Sequence, residues 1–94
     1  MGKNFRETLE EQLHDPEFRA AWEELEPERQ ITRAIVQGRL ACDLTQKELA
    51  EVTGINQADI SRLENGTANS SLSTLKRLAA GMHMKLEVRF VPAR

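Results

Sequence analysis

Gln57, Ala58, Ser61 and Arg62 are the residues of this 94-residue chain whose types and spacing could do chemistry, and that chemistry is recognition of a flat polar edge. Gln pairs in bidentate fashion with adenine N6 and N7, Arg with guanine O6 and N7, and Ala or Ser leaves room for a thymine methyl or a close backbone approach. On a helix their spacing places them on one solvent-facing side, in the N-terminal half, where a helix laid in a major groove presents its base-reading residues. Bond-making chemistry has no comparable candidates. The chain offers no nucleophile–base pair, no metal-ligand set and no phosphate-cradling glycine loop, so neither an enzyme nor a cofactor is expected. His14 and His83 stand apart from each other and from any ligand pair.

The elements that must position those four residues are legible around them. Thr45 with Glu48 forms a capping box, so a helix starts at Gln46 with Leu49, Ala50 and Val52 inward, and Gly54 is the stop because glycine accepts positive φ. After a short turn Asn56 caps a second helix, with Asp59 near the positive end of its dipole and Ile60 and Leu63 inward. Asn65 and Gly66 end it. A longer helix, roughly Glu28 to Ala41, precedes the pair, with Ile31, Ala34, Ile35 and Gly38 inward. Ser70 or Ser71 caps another that runs to about Ala80, with Leu72, Leu75, Leu78 and Ala79 inward, Gly81 as its stop, and Lys76 and Arg77 outward, touching DNA or nothing.

This stretch resembles the lambda-repressor/Cro (XRE) family of helix-turn-helix domains. The resemblance rests on Leu44-Thr45-Gln46, Glu48-Leu49-Ala50, Gly54-Ile55-Asn56-Gln57 and the run from Ile60 to Gly66. It implies a helix-turn-helix bundle that binds double-stranded operator DNA, with Gln57 and Arg62 at base-reading positions. It also implies that Gln46 holds a phosphate and buttresses Gln57, that Asn65 contacts the DNA backbone, and that Arg39 and Glu64 form a buried pair tying the domain's first helix to the recognition helix. Lys47 and Asn56, with the polar loop residues Thr67 and Asn69, complete the expected phosphate contacts.

Composition bounds the rest. The net charge of −2 is unusual for a DNA-binding chain, but it is unevenly spread. Residues 1–30 carry four basic residues against nine acids, a net of −5, while residues 31–94 carry nine against six, a net of +3. An acidic arm on a mildly basic body points to two different partners. The single cysteine, Cys42, excludes an internal disulfide and reads as a small buried hydrophobe. With no apolar run long enough for a membrane and an acidic rather than basic-then-apolar start, a cytoplasmic, membrane-free protein is expected.

The arm reads as two amphipathic helices. One is capped by Asn4 and carries Phe5, Leu9 and Leu13 on a stripe; the other, capped by Asp15 with Pro16 in its first turn, carries Phe18, Ala21, Trp22 and Leu25. These apolar residues either fold back to fill a small core or form a carboxylate-flanked ridge that docks on a basic partner. At the other end, Met84 to Val91 alternate apolar and charged, a strand signal with Leu86, Val88 and Phe90 on one face. A lone strand needs a partner, and pairing between two copies would make a homodimer whose recognition helices meet half-sites one helical turn apart.

Leu13 to Glu23 and the tail after Gly81 resemble one branch of the family, the small HigA-type antitoxins. That branch implies a basic RelE-like (HigB-type) ribonuclease toxin as partner, held by Phe5, Leu9, Phe18 and Trp22, and repression of the operon that encodes both. A stand-alone repressor and a protein-interaction scaffold on the same fold remain alternatives. The expected fold is thus all-α: an acidic helical extension (1–27), a helix-turn-helix bundle of the lambda-repressor type (28–82), and a tail (83–94) holding one C-terminal β-strand for dimerisation.

Overall fold

The computed structural model describes residues 4–93. Its elements in order are α1 (Phe5–Gln12), α2 (Pro16–Glu24), α3 (Glu26–Ala41), α4 (Gln46–Thr53), α5 (Gln57–Glu64) and α6 (Leu72–Gly81). The caps act as the sequence leads one to expect. The side chains of Asn4, Asp15, Asn56 and Ser71 each accept a backbone N–H of the first turn that follows, and Thr45 with Glu48 makes both bonds of its box. α3 starts two residues earlier than expected and takes Pro27 into its first turn. A proline is harmless there, because the first N–H groups of a helix have no intrahelical acceptor to lose.

The chain divides into two units between Ile31 and Thr32. In the first, no residue of α1 or α2 is buried. The rings of Phe18 and Trp22 stack with centroids 6.2 Å apart, and the guanidinium of Arg29 sits 3.5 Å from the Trp22 ring centroid. Arg29 is also ion-paired to Glu26. Trp22 is therefore half-buried by its own neighbours, while Phe5 remains 78% exposed.

The second unit holds the core, formed by Ile35, Leu49, Ile55, Ile60, Leu63, Leu78, Ala79 and Met82. α4 packs against both α5 and α6. Three residues expected inward are not: Ala34, Val52 and Leu72 are exposed. In α4 the buried stripe runs from Leu49 to the half-buried Thr53, an i, i+4 step, which leaves Val52 on the outer border. Gly81 does not stop α6 but is its last helical residue, and a positive φ of 56° falls on His83 instead. The lack of a side chain at Gly81 serves packing, because a Cβ there would lie 2.5 Å from Thr53 Cγ2.

The expected C-terminal strand is absent: the described residues contain no β-strand, and those after His83 have no regular structure. Alternating letters supply a face, but a strand exists only through ladder bonds to a second strand, and the described residues offer none. Exposure does not alternate either. Leu86 is half-buried, whereas Met84, Val88, Phe90 and Val91 are all exposed. The fold is all-helical. No helix among the described residues is long and apolar enough to cross a membrane.

Leu49 is completely buried where α4 meets its neighbours. Leu49→Ala should therefore destabilise the protein by about 3 kcal/mol, read as a lower urea midpoint at unchanged slope.

Candidate nucleic-acid interface

The turn between α4 and α5 is built from short-range bonds. Gly54 adopts φ 74°, the left-handed conformation that ends α4, and its N–H donates to Ala50 O at 2.9 Å. The hydroxyl of Thr53 donates to Leu49 O at 2.7 Å and accepts the N–H of Ile55 at 3.2 Å. Ile55 is buried, and Asn56 Oδ1 then accepts the N–H of Ala58 at 2.7 Å to open α5. Ile60 and Leu63 lie against the core at 0% and 6% exposure. With that side committed inward, α5 leaves Gln57, Ala58 and Arg62 exposed and Ser61 half-buried.

Arg62 is not idle on that face. Its guanidinium is ion-paired with Asp59 one turn earlier, both side chains being more than half exposed. Such a pair contributes little to stability, so it parks the guanidinium without anchoring it.

Behind α5 lies a tighter set of bonds. Arg39 Nε donates to Glu64 Oε2 at 2.7 Å and Arg39 Nη2 to Glu64 Oε1 at 3.0 Å, while Nη1 reaches Leu44 O at 2.9 Å. Gln46 Nε2 donates to Glu64 Oε1 at 3.0 Å. The Glu64 side chain is 6% exposed and that of Arg39 14%. Burial pushes the Glu64 carboxyl up, but the hydrogen bonds from Arg39 and Gln46 and the charge of Arg39 outweigh it, so the group titrates below its ordinary value. The bond to Glu64 raises Arg39 in turn, against the opposing effect of burial.

The residues singled out for phosphate contact have varied surroundings. Lys47, Asn56, Asn65, Thr67 and Asn69 are exposed, and Gln46 is half-buried with its amide on Glu64. Thr67 Oγ1 donates to Arg62 O at 3.2 Å. An open groove of about 520 Å³ brings Asn56, Arg62 and Asn69 together with Thr74 and Arg77. Two features escaped the sequence reading. The role of Thr53 in the turn joins side chain to backbone, which no apolar pattern signals. The bond from Arg77 Nη2 to Thr53 O, 2.8 Å long, spans 24 positions of the chain. The Asp59–Arg62 pair, by contrast, could have been read from its i, i+3 spacing.

A family model described as helix-turn-helix matches residues 35–88. Among curated proteins, antitoxin HigA1 from two strains of Mycobacterium tuberculosis (CDC 1551 / Oshkosh and H37Rv) is 32% identical over 74 residues, 79% of this chain. The chain spans about half the length of these relatives. No solved structure matches the chain at a significant level.

The half-buried Arg39–Glu64 pair generates a pH dependence. Folding depresses the Glu64 pKa, so below the ordinary value of 4.5 the unfolded chain binds more protons than the native one. The contribution of Glu64 is complete above that value and lost as pH falls through the lowered folded one. Urea midpoints followed across this range should show the loss in wild type. Glu64→Gln, which leaves the half-buried Arg39 without its counter-charge, should be about 2 kcal/mol less stable at neutral pH and show a shallower acid limb.

Proposed function

The chain belongs to the helix-turn-helix family, and on that premise we propose that it is an antitoxin and sequence-specific transcriptional repressor. The observation that carries the DNA-binding half is α5 itself, with Ile60 and Leu63 buried on one side and Gln57, Ala58 and Arg62 exposed on the other. In this reading Gln57, Ala58, Ser61 and Arg62 meet base edges, and Gln46, Lys47, Asn56, Asn65, Thr67 and Asn69 meet the phosphates. A body carrying only +3 neutralises few phosphates, so two copies bind together across a two-fold related operator in the DNA upstream of the gene. Leu86, Val88 and Phe90 are assigned to the contact between them, Val88 and Phe90 being among the most exposed apolar side chains of the molecule.

The antitoxin half is supported by the name of the mycobacterial relatives, and by a likeness over 74 residues that reaches beyond the 54 of the family match. The partner assigned is a basic RelE-like ribonuclease of the HigB type. An arm with a net charge of −5 is complementary to an RNA-binding surface, and Phe5, Leu9, Phe18 and Trp22 supply apolar anchors. Both activities belong to the cytoplasm.

Two experiments test this reading. Gln57→Ala and Arg62→Ala should each weaken binding to the upstream DNA by about 10- to 100-fold, and together abolish a footprint there, with the helical circular dichroism unchanged. Among the described residues the buried core lies between Ile35 and Met82, so deleting residues 1–25 removes none of it. That deletion should abolish co-purification of the small basic protein encoded beside this gene and preserve the footprint. Retained co-purification would remove the arm's role, and the absence of any such protein would leave a stand-alone repressor.

A further inference from the structure

Thr53 is where three pieces of chain converge. Its hydroxyl closes the end of α4 and receives the N–H of Ile55, and its methyl group fills the space that only glycine leaves open at Gly81 of α6. Its carbonyl is one of the last four of α4, which no intrahelical N–H satisfies. Arg77, from the middle of α6, supplies the missing donor with Nη2 at 2.8 Å. The same nitrogen lies 3.0 Å from where a Cβ on Gly54 would stand, so the guanidinium rests directly over the left-handed residue of the turn. A cation at the negative end of a helix is favourable in itself. Three residues beyond Thr53, Asn56 caps the start of α5.

We propose that Arg77 is a positioning residue for the base-reading helix: by capping α4 from α6 it holds the turn that sets where Gln57 and Arg62 stand. The assignment rests on the reading of α5 as the helix that meets bases, and goes beyond it by making specificity depend on a residue of a different helix. Its chemistry separates it from a phosphate contact. A residue that neutralises a phosphate adds affinity for every sequence and steepens the salt dependence by about 0.9 per contact. A residue that only fixes register adds affinity for the right sequence alone.

The test uses the full chain with Arg77→Ala and Arg77→Lys, and two probes: the duplex immediately upstream of the gene and a scrambled duplex of equal length. Amide hydrogen exchange at Gly54 and Ile55 is read without DNA. With alanine, exchange at these two amides should quicken about tenfold relative to Leu49 and Ile60, and affinity for the upstream duplex should fall about tenfold, the low end of one bidentate contact. Affinity for the scrambled duplex and the salt slope should stay as they were. Lysine, which can still donate to Thr53 O, should restore most of both. Unchanged local exchange overturns the proposal, and so does an equal loss on both duplexes with a shallower salt slope, which would make Arg77 a phosphate contact. If wild type fails to distinguish the duplexes, the base-reading assignment itself falls, and the exchange arm still decides whether Arg77 holds the turn.

Discussion

One fork of hydrogen bonds holds the second unit in register. The guanidinium of Arg39, on α3, grips the carboxylate of Glu64 at the end of α5 with two nitrogens and the carbonyl of Leu44, at the entrance to α4, with the third. Gln46, the first residue of α4, completes the carboxylate's shell. A planar five-donor group suits this task because its bonds leave in fixed directions, whereas a lysine would offer a swivelling point charge. Apolar packing alone tolerates sliding. A largely enclosed, directional pair does not, since displacing either partner breaks several charge-assisted hydrogen bonds at once.

That constraint explains how α5 can be both anchored and open. Its inner side is committed to the core through Ile60 and Leu63, its C-terminal end to Arg39, and its N-terminal end to the turn through Asn56 and Thr53. What remains outward is free of structural duty, apart from the exposed pair between Arg62 and Asp59. The backbone of α5 is thereby fixed, so whatever its outward side chains meet, only the side chains themselves and not the helix must be ordered on binding.

The first unit follows a different logic. It has no buried residue in α1 or α2 and gathers its aromatic groups into a small stack capped by a cation. Trp22 and Phe18 cover one another, with Arg29 over Trp22, while Phe5 is open to solvent. A partner that takes up Trp22 must replace the face held by Arg29.

Much of what was readable from the sequence is chemistry whose cause and effect lie within one helical turn. The caps at Asn4, Asp15, Thr45 and Asn56, the left-handed stop at Gly54, and the inward Leu49, Ile60, Leu63 and Leu78 follow from bonds and periodicities that span at most a few residues. The Arg39–Glu64 pair joins positions 25 residues apart and was foreseen only through family resemblance. Tertiary structure decided the rest. It put Thr53 rather than Val52 on the inner side of α4, turned Gly81 from a stop into a packing contact, and brought Arg77 onto the carbonyl of Thr53. It also left the alternating tail without a strand. Each of these depends on what stands opposite a residue in space, and a pattern along the chain records only which side a residue prefers, not whether anything is there to meet it.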